Sequence, residues 1–176
     1  MATSVSAGGR ADGSSARPPY SILVMNGPNL AHVGKRQPEI YGSQGLDLIP
    51  AMVQQLLGAH VHEVALSFFQ SNSEGELIDR LEQAREEGVH GVAFNAGAYT
   101  HTSLAIADCI AWIGLPVVEV HISNVFARAE NIRRISHMGA SVIGVISGFG
   151  IMSYALAVQA LHAHLRVANA DDFSFE

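Results

Sequence analysis

The sequence predicts an α/β fold built on a doubly wound parallel sheet. From residue 20 onward, strand and helix patterns alternate five times, and such alternation is typical of right-handed βαβ units around a parallel sheet. The strand patterns are almost entirely apolar, which indicates burial on both faces. Five units fit the flavodoxin-like strand order 2-1-3-4-5.

The first strand is predicted over residues 21–26 ("SILVMN"), and a stretch without helix or strand periodicity, residues 27–42, comes after it. The helix after this stretch is predicted over residues 46–60. Its candidate N-cap is Asp47, and Pro50 lies in the first turn, where a proline is tolerated.

The remaining units have the same pattern. Ser73 and Glu76 have the spacing of a capping box at the start of the second helix, and Gly88 comes after its last turn. Further strands are predicted over 63–71, 89–97, 116–123 and 140–147, and further helices over 71–88, 101–114, 128–138 and 150–167.

One catalytic domain is predicted over residues 20–176, after a disordered tail over residues 1–19 that is rich in Ser, Gly, Ala and Pro. A transit peptide is the alternative for the tail, which lacks an amphipathic stripe. The net charge of −6 argues against a nucleic-acid binder, and the low charged fraction of 15% favours oligomerisation. The single Cys109 fits a reducing compartment, so we expect a cytoplasmic protein. No apolar run is long enough to span a membrane.

Polar residues lie at the carboxyl ends of the predicted strands. Doubly wound sheets bind ligands there, at the switch point between strands one and three. The long stretch over residues 27–42 begins at that point, and structureless loops of more than about 12–15 residues are usually functional or disordered. We therefore interpret it as a lid over a site. The polar residues are Asn26 and Asn29 after strand one, Asn95 after strand three, and Glu119 and His121 at the end of strand four.

The lid contains Arg36 and Tyr41, five residues apart. A nearby guanidinium favours the phenolate form of a tyrosine, and a phenolate can act as a general base. The alternative is that Tyr41 packs as an aromatic anchor while Arg36 faces solvent. Asn29 either holds a water or an oxyanion, or is a structural turn residue.

Glu119 and His121 alternate at the end of a strand that is otherwise apolar, so their side chains point to the same side. A carboxylate beside a histidine fixes its tautomer and prepares it to donate a proton; the alternative is a buried histidine with a satisfied hydrogen bond. Residues 95–103 ("NAGAYTHTS") lead into a helix whose N–H groups suit a carboxylate. The alternative there is that Thr100 or Thr102 caps the helix.

No nucleotide cofactor is expected, because neither a GxGxxG nor a P-loop spacing comes after the first strand. No metal site is expected either. Two histidine pairs, His60 with His62 and His162 with His164, lie in helix-end or solvent-facing contexts, so a three-ligand catalytic centre would have to combine scattered residues.

The chain resembles type II 3-dehydroquinate dehydratase from about residue 21 to residue 165. Four blocks carry the resemblance: "NGPNLAHVGKRQPEIYG", "FQSNSEGELID", "NAGAYTHTS" and "EVHISN", in that order. It implies a lyase of the shikimate or quinate pathway that converts 3-dehydroquinate to 3-dehydroshikimate and water. The elimination would be trans, through an enolate, without a Schiff base or a metal.

The resemblance also implies roles for individual residues. Tyr41 removes the C2 proton and Arg36 supports its phenolate. Asn29 holds a water that stabilises the enolate. His121, oriented by Glu119, protonates the leaving C1 hydroxyl. Such enzymes assemble as trimers packed into dodecamers. Substrate-binding positions are Asn95, His101, Ile122 and Ser123 in one subunit, and Asp108 from a trimer neighbour.

Two departures from the family pattern bear on these roles. In the lid, "NLAHVG" replaces the usual "NLNLLG", which changes packing more than chemistry. The segment "RAENIRRIS" (128–136) is one residue longer than usual. Counting back from Ser136 makes Arg133 the substrate-contacting arginine, with Arg134 as the alternative, while Arg128 matches the first family arginine as a structural contact.

Two rival functions fit part of this pattern. The first is a flavodoxin-like module whose lid recognises a small acid without turnover. The second is metal-assisted hydrolysis, which chelator-insensitive activity would eliminate.

Overall fold

The computed structural model of the chain describes residues 19–31, 33 and 45–171. These residues form a sheet of five parallel strands in the order β2-β1-β3-β4-β5. The predicted fold class and strand order are therefore confirmed. The strands are β1 (Tyr20–Asn26), β2 (Val64–Gln70), β3 (Gly91–Asn95), β4 (Val117–His121) and β5 (Gly144–Ser147).

Each α-helix of the described part overlaps a predicted helix. Two caps differ from the prediction. Asp47 is not an N-cap, because residues 46–48 form a separate 3-10 turn before the first α-helix. Ser103, rather than Thr100 or Thr102, caps the third. The helices are α1 (Ile49–Leu57), α2 (Glu74–Glu86), α3 (Leu104–Ile113) and α4 (Met152–Asp171).

The helix predicted over residues 128–138 is wrong. Only Asn131–Arg134 forms a short 3-10 turn there. Residues 131–135, including Ile132 and Ile135, are all exposed, so the segment packs no apolar face against the described part of the chain, and a short helix without such packing is unstable. Its backbone bonds to a neighbouring loop instead: the Ile135 carbonyl accepts from His101, and the His137 N–H donates to the Thr100 carbonyl.

The central strands β1, β3 and β4 are buried on both faces, as their apolar patterns predicted, while the edge strands β2 and β5 are only partly buried. Successive side chains of a strand point to opposite faces, so Leu23 packs toward α2 and α3 while Val24 packs toward α1 and α4. The two layers of helices cover the sheet and leave the carboxyl ends of the strands as the place where loops meet. The largest fully buried side chains include Phe94, Leu81, Ile106 and Ile110 on the first face, and Tyr154, Ile22 and Ile49 on the second.

Several predictions fall partly or wholly outside the described residues. They are the tail up to residue 18 and most of the lid, residues 32 and 34–42, which include Arg36 and Tyr41. The domain boundary at residue 20 stays a prediction. Among the helices of the described segments, none has the length and apolar character that a membrane span requires.

Candidate active site

The carboxyl end of β4 carries a buried acid–imidazole pair. Glu119 and His121 are 1% and 5% exposed, and they lie two residues apart on one side of the strand, as predicted. The His121 Nε2 and Glu119 Oε1 atoms are 2.5 Å apart. Because Nε2 donates to the carboxylate, Nδ1 is the nitrogen that remains for a reacting group.

A second histidine lies parallel to the first. The rings of His101 and His121 have centroids 6.3 Å apart and an interplanar angle of 12°. The His101 Nδ1–H donates to the Ile135 carbonyl oxygen at 2.6 Å. Burial lowers the pKa of His101, and the positive charges of Arg128 and Arg133 act in the same direction. His101 is therefore neutral near pH 7, and its Nε2 is an acceptor.

The ends of β1 and β3 are tied together by a buried tyrosine. The Tyr154 hydroxyl donates to Asn26 Oδ1 at 2.5 Å and accepts from Asn95 Nδ2 at 2.9 Å. Asn95 Oδ1 in turn accepts from the Gly97 N–H at 3.1 Å. Burial raises the pKa of Tyr154 well above its usual range, so the phenol stays protonated and both amide orientations are fixed.

The loops after β1 and β3 pack backbone against backbone. A Cβ atom at Gly27 would lie 2.4 Å from the Ala96 carbonyl oxygen, so only a glycine allows this approach. The Gly27 N–H donates to the Asn95 carbonyl at 2.8 Å. Asn29 then takes a left-handed conformation with φ of 65°, which supports the interpretation as a turn residue. Its side chain is exposed at the start of the lid.

The segment after β4 is held by hydrogen bonds that fix both of its predicted ligand residues. The Gly150 N–H donates to the Ile122 carbonyl at 2.9 Å, and the Ser147 hydroxyl donates to the Ser123 carbonyl at 3.1 Å. Arg128 Nη2 donates to the Ser123 hydroxyl at 3.1 Å. Arg128 is thus a structural contact here.

The two candidate arginines differ in what holds them. Arg134 Nε donates to the Arg128 carbonyl oxygen at 2.5 Å, so this guanidinium is partly occupied. Within the described residues, the side chain of Arg133 forms no hydrogen bond or ion pair, and its charge acts on His101. The geometry therefore favours Arg133 over Arg134 as a ligand for an anion.

Asp108 is a described site candidate that makes no contact with the acid–imidazole pair within one subunit. It lies on the exposed face of α3, between Leu104 and Trp112, which are 65% and 62% exposed. No side-chain hydrogen bond or ion pair joins it to another described residue. Arg36 and Tyr41 lie outside the described residues.

Sequence reasoning missed two residues of the site, Tyr154 and Ser136. The Ser136 hydroxyl donates to Glu119 Oε2 at 2.6 Å, while Tyr154 bridges the two asparagines. Both lie far along the chain from the groups they hold, so no local pattern pointed to them. The described residues contain no group of three or more His, Cys, Asp and Glu side chains placed to hold a metal.

Comparison with known proteins gives a consistent result. A family model described as "Dehydroquinase class II" matches residues 20–162. The 3-dehydroquinate dehydratase of Exiguobacterium sp. is 52% identical over 145 residues, which cover 82% of the chain and 96% of that relative. The corresponding protein of Ruegeria pomeroyi is 50% identical over 148 residues, which cover 82% and 95%.

Solved structures agree with the family match. The crystal structure of type II dehydroquinase from Butyrivibrio crossotus superposes with a TM-score of 0.74 at 38% identity, covering 81% of this chain and 97% of that one. The type II dehydroquinase from Propionibacterium acnes gives a TM-score of 0.72 at 36% identity, covering 81% and 96%.

Proposed function

This chain belongs to the class II dehydroquinase family, and from that premise we propose how its residues dehydrate 3-dehydroquinate to 3-dehydroshikimate as a lyase of the shikimate pathway. The observation that carries the proposal is the Glu119–His121 pair, with Nε2 bonded to the carboxylate and Nδ1 left for another group. An elimination β to a ketone needs a base, an oxyanion stabiliser and an acid at different places around one ring.

The base belongs to the lid. Tyr41, as a phenolate supported by Arg36, removes the proton from C2, and the electron pair moves into the C3 carbonyl to give an enolate. Both residues lie outside the described part of the chain, so their roles rest on the lid motif and the family. Their support from the structure is indirect: the lid begins directly after Asn26 at the end of β1, whose amide is linked through Tyr154 to the Asn95 amide at the end of β3.

The acid completes the reaction. The enolate re-forms the C3 carbonyl, a C1–C2 double bond forms, and the C1–oxygen bond breaks. The leaving hydroxyl takes the proton of His121 Nδ1 and departs as water, so atoms and charges balance. The trans course that the family resemblance implies requires the base and the acid to address opposite faces of the ring.

Substrate binding uses the groups around this pair. The unoccupied guanidinium of Arg133 is exposed near His101 and suits a hydroxyl or carboxylate. Neutral His101 accepts a hydrogen bond from a substrate hydroxyl through Nε2. Ser123 and the Ile122 amide address the carboxylate, and Asn95 faces the ring. Asn29 holds the water that stabilises the enolate.

Asp108 completes the site from another subunit. Its position on an exposed helix face flanked by two large apolar side chains supports an interface between copies of the chain, since such side chains are usually covered. We propose trimers that assemble into a dodecamer, in the cytoplasm. The low fraction of charged residues, 15%, agrees with extensive covered surface.

Turnover separates this enzyme from a module that only binds a small acid. Adding 3-dehydroquinate to the wild-type protein should produce a growing ultraviolet absorbance from the conjugated enone, unchanged by a chelator. Tyr41→Phe removes the base and should lower kcat by at least about a hundredfold while substrate binding persists. Binding without absorbance growth in the wild type would support the module, and loss of activity with chelator would support metal-assisted hydrolysis.

A further inference from the structure

Three consecutive residues after the 3-10 turn Asn131–Arg134 hold three parts of the site. The Ile135 carbonyl accepts from His101 Nδ1 at 2.6 Å, the Ser136 hydroxyl donates to Glu119 Oε2 at 2.6 Å, and the His137 N–H donates to the Thr100 carbonyl at 2.9 Å. This short strap (residues 135–137) therefore contacts the second histidine, the carboxylate and the loop that carries the second histidine. Sequence reasoning assigned none of its residues a role.

The middle contact acts on the acid pair itself. Glu119 is 1% exposed, so its oxygens cannot rely on bulk water and need donors from the protein. One oxygen, Oε1, is used by His121 at 2.5 Å, and the described donor to the other, Oε2, is the Ser136 hydroxyl. The carboxylate is thus held from both sides, and its rotation about the last side-chain bond is fixed.

We propose that Ser136 is a positioning residue for the acid: it holds the Glu119 carboxylate so that Oε1 meets His121 Nε2 and the proton for the reaction stays on Nδ1. This inference rests on the proposed function. Without the hydroxyl, the carboxylate can turn and present either oxygen, and the imidazole turns with it. Arg133 lies three residues earlier on the same segment, so substrate recognition and acid orientation share one stretch of backbone.

The Ser136 hydroxyl also affects the charge of the Glu119–His121 pair. When His121 is protonated, the pair is neutral overall; when it loses its proton, the buried pair carries one negative charge. The Ser136 donor stabilises that negative form most. Removing it therefore disfavours the form in which the buried pair carries the negative charge. Among the described residues, the ring of His101 lies against His121, and the charges of Arg128 and Arg133 act on His101.

The experiment compares wild type, Ser136→Ala, Ser136→Thr and Ser136→Cys by steady-state kinetics with 3-dehydroquinate across pH. Ser136→Ala should lower kcat about tenfold to a hundredfold, which is the size of effect seen when a residue that orients a metal ligand is removed. KM should change less than about threefold. The alkaline limb of its kcat profile should move to higher pH. Ser136→Thr keeps the O–H donor and should restore both quantities.

The matched control is Ser141→Ala. Ser141 is half-buried like Ser136, but its hydroxyl bonds to no described residue, so this variant should keep the wild-type profile. If the alanine variant does not fold, Ser136→Cys preserves the volume with a weaker donor and should show a smaller loss with the same direction of shift.

Two results would overturn the inference while the wild type turns over 3-dehydroquinate. The first is a Ser136→Ala enzyme with kcat within about twofold of wild type and an unmoved alkaline limb. The second is an equal loss of kcat in Ser136→Ala and Ser136→Thr, with the alkaline limb of both pH profiles where it is in wild type. A purely structural role would give this result. A wild-type protein that does not turn over the substrate overturns the proposed function itself.

Discussion

At the scale of single residues, the site depends on which nitrogen of His121 is occupied. Glu119 takes Nε2, His101 is kept neutral by burial and by neighbouring guanidinium charges, and Tyr154 fixes the amides of Asn26 and Asn95. Each of these contacts removes an alternative orientation of a polar group. The result is a set of donors and acceptors that is oriented before a substrate arrives, and such preorganisation is a large part of catalysis.

Glu119→Gln tests this arrangement at one atom. The amide can still accept from Nε2, but it lacks the negative charge that favours the protonated imidazole. We expect kcat to fall by about a hundredfold and the alkaline limb of its pH profile to move to lower pH. This shift is opposite to the one expected for Ser136→Ala, so the two variants control for each other. An unmoved limb in Glu119→Gln would mean that the carboxylate does not set the protonation of the acid.

At the scale of elements, periodicity in the sequence predicted the strands and most helices, but it could not predict contacts between distant segments. Parallel strands bring their carboxyl ends to one edge of the sheet, so the predicted strands also predicted which polar residues lie there. The structure has them at that edge: Asn26, Asn95, Glu119 and His121. The prediction of a helix over residues 128–138 was wrong, because these mostly exposed residues fit a helical pattern but have no neighbouring element to pack against. Ser136 could not be found from spacing, since its partner lies on another strand.

A second contact between elements lies at the amino end of β2, away from the carboxyl ends of the strands that carry the site. Glu63 ends the 3-10 turn Gly58–Glu63 before β2, and its carboxylate accepts from His60 Nδ1 and from His162 Nε2 of α4, both at 2.8 Å. The hydrogen bonds from His60 and His162 lower the pKa of Glu63 to about 2. A carboxyl whose pKa is lower in the folded protein stabilises that state when it is ionised.

The stability that Glu63 provides should therefore be present in full above about pH 4.5 and be lost as the pH falls toward 2. Glu63→Gln should have a lower urea midpoint than wild type at pH 7, and the difference should shrink at pH 3. The control is Glu86→Gln, whose side chain is exposed and bonds to no described residue. A difference of the same size at both pH values would contradict the assignment.

At the scale of the whole molecule, the described surface carries apolar side chains that a monomer would leave in water. Leu104 and Trp112 flank Asp108 on α3, and Phe149 comes after β5 with 64% exposure. Leu104 and Trp112 lie on one face of the same helix, and neighbouring exposed apolar side chains indicate an interaction site. Symmetric copies of one chain are the commonest partners. A site that draws Asp108 from a neighbour would make activity depend on assembly.

Leu104→Glu puts a charge into this face at the first residue of α3, where an acid does not disturb the helix. We expect a smaller particle by light scattering after size exclusion, together with a lower kcat, because Asp108 is no longer delivered. Val167→Glu is the control, since Val167 is 62% exposed on α4 and lies apart from the α3 face. An unchanged mass in Leu104→Glu would place the interface elsewhere.

The most direct test of the central claim is the absorbance change when 3-dehydroquinate is added to wild type and to His121→Asn. We predict steady growth of the enone absorbance for wild type and a kcat lower by at least about a hundredfold for His121→Asn, with substrate still bound. Turnover by His121→Asn at close to the wild-type rate would contradict this claim, because the proton for the leaving hydroxyl would then come from another group.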